Sequence, residues 1–335
     1  MSGVGNPGGF PRPKRQWRGL LRILKGTTLA VVALSSTGAV YEVLAAAGDA
    51  ERYPVPGTYV DIGGYSLHIS CLGQGSPAVI LDAGLGGTSR DWVLVQARLA
   101  AHTRVCAYDR AGMGHSDPGP EPRSPARLAD ELRRLLKTAG VPGPYVLVAH
   151  SLSGKSARPF AAAHPEDVAG MVLVDSRSEK IDAATPPDEA EAFALALKRQ
   201  AFLLTLARKV GLVRLMGSMV RDAPSLPPGV ATEMALLQTQ PQLLRATTAE
   251  GLARSMDDVV LNGASLGEIP LVVIAAGDSM ASIPGWAEAQ AELAALSREG
   301  RLVVAEGSSH LVQIDQPEIV IDAVLSVLDA ARKGE

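Results

Sequence analysis

Eight short apolar runs, rich in valine, isoleucine, leucine and alanine, fall at residues 58–62, 65–71, 78–82, 104–108, 145–149, 170–174, 270–275 and 301–305. Most are separated by stretches of helical length. Strands that alternate with helices predict an α/β fold built on a mostly parallel sheet with helices on both faces. Gly63-Gly64 between the first two runs signals a tight hairpin, which makes that pair antiparallel. After Asp175 the strand rhythm stops. Residues 178–265 are Ala-, Leu- and Met-rich sequence broken by Pro186-Pro187 and Pro227-Pro228, and are expected to form a helical insert that divides the core into 54–177 and 266–335. No internal repeat is present.

The amino-terminal segment has a different character. Residues 1–13 are rich in glycine and proline, and residues 1–25 as a whole are expected to form a basic disordered tail. Gly26 to Tyr41 is a run without a charge, and weaker apolar character continues to Ala47. As a helix, residues 26–47 would measure roughly 33 Å, enough for a ~30 Å hydrocarbon layer. Six cations (Arg12, Lys14, Arg15, Arg18, Arg22, Lys25) precede or flank that run against the single acid Glu42. The positive-inside rule then keeps the basic flank cytoplasmic and places everything after about residue 48 outside the cytoplasmic membrane. Ala45-Ala46-Ala47 also resembles a signal cleavage site, so a retained anchor, a removed signal and an amphipathic helix beside a soluble domain all remain open.

Charge and cysteine content exclude several classes. The chain has net charge −3, and the net +5 of residues 1–47 leaves −8 over the rest. An acidic body with no local basic stripe does not recruit nucleic acid. Two cysteines cannot form a four-thiolate zinc site or a disulfide-dense scaffold. No metal or cofactor motif is present.

Residues 145–158 run Tyr-Val-Leu-Val-Ala-His-Ser-Leu-Ser-Gly-Lys-Ser-Ala-Arg: a buried strand, a turn of small residues, then a helix. Two readings fit. In one, Ser151 is the apex of a strand-to-helix nucleophile elbow, with Ala149 and Ser153 where glycines often stand. In the other, Ala149 to Ser156 is a relaxed phosphate loop, with Lys155 for phosphates and Ser156 and Asp175 for magnesium. Gly154 is the loop's sole glycine, and His150 and Leu152 would crowd a phosphate cradle. The turn also follows the fifth run, where a hydrolase nucleophile belongs, while a phosphate loop generally follows the first. The elbow is preferred, with Lys155 in the first turn of the helix behind it.

The chain from about residue 56 to 333 resembles the α/β-hydrolase family. Leu81-Asp82-Ala83-Gly84-Leu85-Gly86-Gly87 is similar to that family's oxyanion loop, with Ala83 in place of the commoner histidine. Tyr108-Asp109-Arg110-Ala111-Gly112-Met113-Gly114-His115-Ser116 is similar to its Asp-Arg-x-Gly-x-Gly-x-Ser turn. Gly307-Ser308-Ser309-His310 lies where the family carries its catalytic histidine. The resemblance implies an eight-stranded sheet, a serine nucleophile and a helical cap over the elbow. A serine at the elbow also sets the chain apart from haloalkane dehalogenases, which use aspartate there.

The chemistry explains the residue types. Ser151 needs a base near ambient pKa, and His310 is the candidate. His68 and His102 read as strand or turn residues, His164 as a helix end, His115 as part of the family turn and His150 as the elbow's flank. The family takes the carboxylate that orients the imidazole from after the seventh strand, which points to Asp278; Asp175, after the sixth, is the alternative. This chain has Met280 where the family more often carries that acid. Asp109 reads as a structural turn carboxylate. The expected oxyanion donors are the backbone N–H groups of Leu85 and Leu152.

In the insert, Phe193, Leu195, Phe202, Leu203, Leu206, Val210, Leu212, Leu215, Met216 and Met219 are expected mostly to pack as cap core, with a few lining an apolar pocket. The expected substrate is a moderately hydrophobic carboxylic ester. An acyltransferase, a peptidase-like or C–C bond hydrolase, and an inactive binding protein on the same fold are the alternatives. The family's strand order makes Cys71 and Cys106 antiparallel neighbours, so they form either a disulfide suited to an exported domain or two buried thiols. No cofactor is implied.

Overall fold

The computed structural model describes residues 14–217, 226–256 and 265–334. All eight apolar runs are strands: β1 (Thr58–Asp61), β2 (Ser66–Leu72), β3 (Ala78–Asp82), β4 (Val105–Tyr108), β5 (Tyr145–His150), β6 (Val168–Val174), β7 (Leu271–Ala276) and β8 (Gly300–Ala305). They form one sheet in the order β1-β2-β4-β3-β5-β6-β7-β8. β2 is antiparallel to both of its neighbours, and every other pairing from β4 to β8 is parallel. This is the α/β-hydrolase fold.

The central strands read as unbroken apolar runs because both of their faces are covered. Every residue of β3, β5 and β7 is buried. Successive side chains alternate between two cores. Ile80, Leu147 and Leu173 belong to one core with Leu132, Leu135 and Leu136 of the helix Pro125–Thr138 and Phe160 of the helix Gly154–Ala163. Val79, Val146, Val148 and Val172 belong to the other with Val95 and Leu99 of the helix Val93–Leu99 and Val320, Val324 and Leu328 of the helix Pro317–Gly334. Parallel strands share one carboxyl edge, so the segments that follow β5, β6, β7 and β8 emerge on the same side of the sheet.

Cys71 and Cys106 are a registered pair across β2 and β4 and are joined by a disulfide that spans 35 residues of sequence.

Between β6 and β7 the described residues form the helices Glu179–Ala184, Pro187–Lys209, Leu212–Gly217, Val230–Gln238 and Pro241–Ala253. The expectation that the apolar residues of this insert pack mostly as cap core is corrected here. The helix Pro187–Lys209 buries none of its residues, and Phe193, Leu195, Phe202, Leu203, Leu206, Leu212 and Leu215 are exposed. Met219 lies outside the described residues.

The amino-terminal segment is a single helix, Lys14–Arg52, of which Gly19–Asp49 is long and apolar enough to cross a membrane. Residues 14–25, expected as part of a disordered tail, are its first turns; residues 1–13 lie outside the described residues. Its last four turns, from Gly38 onward, touch the insert. Arg214 donates to both Glu42 (3.0 Å) and Asp49 (2.7 Å), and Arg208 lies 3.4 Å from Glu42.

Candidate active site

The chain leaves β5 through an abrupt turn. Ser151 has φ +54°, a left-handed conformation that side chains rarely adopt, before the chain enters the helix Gly154–Ala163. Such a residue costs on the order of 1–3 kcal/mol, and its surroundings must hold it in place. Ser153 Oγ donates to the carbonyls of Asp82 (2.9 Å) and His150 (2.8 Å), and Ser176 Oγ donates to the carbonyl of Ala149 (2.9 Å). Only glycine fits at 154, since a Cβ there would lie 2.7 Å from Ser176 Cβ and Oγ.

His310 follows β8 and faces this turn. Its Nε2 lies 2.8 Å from Ser151 Oγ, and its Nδ1 lies 2.6 Å from Asp175 Oδ2. Asp175 directly follows β6 and is also left-handed, with φ +42°. Its amide donates to the carbonyl of Ile274 on the neighbouring strand β7. The carboxylate is fully buried and fully partnered. Oδ1 accepts from the Ala276 amide (3.0 Å) and the Trp286 indole N–H (2.7 Å), and Oδ2 accepts from Ser279 Oγ (2.5 Å) besides the imidazole. Burial alone would push this carboxyl up. The hydrogen bonds from His310, Ser279, Ala276 and Trp286 outweigh burial and hold it below the ordinary carboxylate value.

The choice of Asp278 as the partner of His310 is therefore corrected to the alternative, Asp175. Asp278 is exposed at the start of the helix Gly277–Ser282, and its amide donates to the Ser308 carbonyl. The buried side of that helix presents Ser279 instead, so the segment after β7 supplies a donor to the carboxylate and not the carboxylate itself. Met280 packs against Ile181 and Trp286.

His150 holds the imidazole's backbone. Its Nε2 lies 2.8 Å from the carbonyl of His310, and its Nδ1 lies 3.4 Å from Gln313 Nε2, an arrangement that fixes the proton on Nε2. Burial, reinforced by the neighbouring His310, lowers its pKa to about 3, so the ring stays a neutral donor.

The loop after β3 passes close to the serine. A Cβ on Gly84 would lie 2.8 Å from His150 Nδ1 and 3.0 Å from Ser151 Cβ, so only glycine allows the approach. Arg110 fixes this loop from beneath. Its guanidinium donates to the carbonyls of Ala83 and Gly84, to Asp82 (2.6 Å) and, through two nitrogens, to Glu250 of the insert. Leu85 and Leu152, the expected oxyanion donors, both line the cavity in front of Ser151.

That cavity is about 660 Å³. The core contributes Gly84, Leu85, Ser151, Leu152 and His310, and the insert contributes Phe193, Leu197, Leu243, Leu244, Thr247 and Arg254.

The phosphate-loop reading finds no support in this geometry. Lys155 is fully buried, with Nζ 2.5 Å from Asp182 Oδ2, an acid that also accepts from Arg177 and Arg254. Ser156 Oγ donates to the carbonyl of Ser153. Asp109 is a turn carboxylate, taking His68 Nδ1 (2.9 Å) and the amides of Ser89 (2.6 Å) and His115 (3.0 Å).

Three site features carry no strong sequence signal: the Ser279 and Trp286 donors to Asp175, the His150 prop, and the reach of Arg110 to Glu250. Each joins residues 104 or more apart in sequence, the prop the furthest, from His150 just before the elbow to His310.

Comparison with known proteins agrees with the fold and the family. The chain belongs to the alpha/beta hydrolase family, whose model matches residues 79–323. A protein of Hormonema carpetanum that bears a transporter's name, efuK, is 27% identical over 296 residues, which is 81% of this chain and 42% of that protein. The chain thus spans less than half of that relative. Among solved structures, a thermophilic esterase from Thermogutta terrifontis superposes with TM-score 0.62 at 22% identity, covering 82% of this chain and 98% of the esterase. The enol-lactonase from Burkholderia xenovorans LB400 gives TM-score 0.62 at 19% identity, covering 81% of this chain and all of the lactonase. Similarity at that level carries the fold.

Proposed function

We propose that this chain is a serine hydrolase that cleaves a moderately hydrophobic carboxylic ester through an acyl-enzyme. In this reading its amino-terminal helix is a retained membrane anchor and its catalytic domain faces the exterior. The observation that carries the catalytic reading is the relay from Ser151 Oγ through the His310 ring to Asp175, at 2.8 and 2.6 Å. Ser151 Oγ attacks the ester carbonyl while His310 Nε2 takes its proton, and Asp175 stabilises the imidazolium through Nδ1–H. The oxyanion develops toward the amides of Leu85 and Leu152, each worth about 3 kcal/mol if aligned as in related chemistry. His310 then returns the proton to the departing alcohol. Water, deprotonated by the same imidazole, cleaves the acyl–Ser151 bond and releases the acid. The apolar insert residues around the cavity support an acyl or alcohol group of some hydrophobicity, and the solved esterase and lactonase of similar fold act on the same kind of bond.

Retention of the anchor is supported by Glu42 and Asp49, which pair with Arg214 of the insert. A cut after Ala47 would strip Glu42 from that contact. The basic residues before the apolar span and the Cys71–Cys106 disulfide support an exported domain.

Steady-state hydrolysis of p-nitrophenyl esters of increasing acyl length by the full chain in detergent tests the reading. Turnover should peak at an intermediate chain length, and Ser151→Ala should lower kcat by at least about 10⁴-fold. Turnover that survives Ser151→Ala would remove the serine from the mechanism.

A further inference from the structure

We propose that the insert lies in the membrane surface: the outer face of the helix Pro187–Lys209 and the turn into Leu212–Gly217 seat in the leaflet next to the catalytic domain, and the site draws its ester from that leaflet. This rests on the serine-hydrolase and anchor readings above and names the source and class of the substrate, a lipid-phase acyl ester.

The anchor and the insert are fastened together at a defined depth. A Cβ on Gly38 would collide with the carbonyl of Val210, and one on Gly211 with the carbonyl of Gly38, so the two backbones touch where neither has a side chain. Beyond this contact Arg214 pairs with Glu42 and Asp49, and Glu42 is buried despite its place on an otherwise exposed helix. Gly38 precedes Glu42 by one helical turn, about 6 Å further into the apolar span. If the Glu42, Asp49 and Arg214 cluster marks the headgroup level, the Val210–Gly211 turn reaches below it.

The surface that this docking brings to the bilayer has the matching composition. Leu195, Phe202 and Leu206 recur at helical spacing on one face, and Phe202 and Leu203 are 68% and 58% exposed. Leu212 and Leu215 continue the exposed apolar surface past the turn. Past Glu191 the helix Pro187–Lys209 has no acid, and Lys198, Arg199 and Lys209 are exposed cations on it, while Arg208 and Arg214 are taken up by the anchor contact. Aromatic and aliphatic side chains combined with lysine and arginine are what a helix lying in an anionic lipid interface requires. An aqueous surface would gain nothing from so contiguous an apolar patch.

The same helix joins that face to the chemistry. Phe193, Leu197, Gln200 and Ala201 line the cavity in front of Ser151, while Leu195, Phe202, Leu203 and Leu206 are not among its lining residues. A single helix therefore separates the site from the lipid.

The test uses the full chain in phosphatidylcholine vesicles containing phosphatidylglycerol, with two readouts. In the first, Phe202→Trp adds a fluorophore whose emission is obtained by subtracting that of the parent. It should be blue-shifted and lose about half or more of its intensity when the lipid acyl chains are brominated, as expected for a side chain at the acyl boundary. Emission at the aqueous wavelength without quenching would overturn the placement. In the second, a triple variant (Leu195→Ser, Phe202→Ser, Leu206→Ser) is compared with the parent on a long-chain ester dissolved in the vesicles and on water-soluble p-nitrophenyl acetate. The variant should lose more than about tenfold on the vesicle-borne ester and less than about twofold on the soluble one, because the altered residues contact lipid and not the cavity. Unchanged turnover of the vesicle-borne ester, or an equal loss on both esters, would contradict delivery from the leaflet and leave the hydrolase reading standing. A parent chain that turns over neither ester would instead overturn the hydrolase reading, and the bromolipid readout would still decide the placement.

Discussion

Asp175 Oδ2 lies 2.6 Å from His310 Nδ1, and the same carboxylate takes three further hydrogen bonds from Ser279, Ala276 and Trp286. A carboxylate tied down this way fixes the imidazole's tautomer and aims Nε2 at Ser151. Asp175→Asn keeps the shape but presents the wrong group to Nδ1, and should lower kcat by about 10⁴-fold. Asp278→Asn, at an exposed position, should change kcat by less than about twofold. Parallel kcat measurements on the two variants check this, and the reverse ranking would refute the role given to Asp175.

Asp91 borders the cavity, and its Oδ1 has no hydrogen-bond partner. Burial pushes its carboxyl up from 3.8 to about 7. Below the lower value both folded and unfolded chains hold the proton. Between the two values the unfolded chain releases it and the native chain does not, so stability falls by up to about 1.4 kcal/mol per pH unit and levels off above the higher value. Asp91→Asn removes this slope. Urea midpoints measured across that window should therefore favour the variant increasingly as pH rises, and parallel curves would count against the shift.

Arg110 ties Asp82, Glu250 and the carbonyls of Ala83 and Gly84 into one buried cluster. Arg110→Met strands two carboxylates away from water and should cost about 3–5 kcal/mol in urea unfolding. It also frees the loop that carries Leu85, so kcat should fall by more than the loss of folded protein explains. A cost below about 1 kcal/mol would mean that the cluster is relaxed by water.

The Cys71–Cys106 disulfide closes a loop across two paired strands. Replacing both cysteines with alanine should lower unfolding stability by about 3–4 kcal/mol. A phosphatase reporter fused after Glu335 should be active only if the domain is exported. Activity confined to a cytoplasmic reporter would reverse the topology.

The strands and most of the site were readable because each is local. Runs such as residues 145–149 announce a buried strand, and the small residues around Ser151 announce a tight turn. His310 was readable from its loop after the last strand. The partner of His310 was not, because two aspartates, Asp175 and Asp278, each follow a strand and sequence does not say which side of the Gly277–Ser282 helix turns inward. The same limit applies to the insert. Phe202, Leu203 and Leu206 look like core by composition, but the helix carrying them buries none of its residues, because composition alone does not say what an apolar helix face meets.

The most direct test is reaction of the folded full-length chain with a fluorophosphonate, followed by peptide mass mapping. The expected result is a single adduct on Ser151 that is lost in His310→Ala and greatly slowed in Asp175→Asn. A folded chain that takes no adduct, or takes it on another residue, would contradict the assignment of Ser151 as an activated nucleophile.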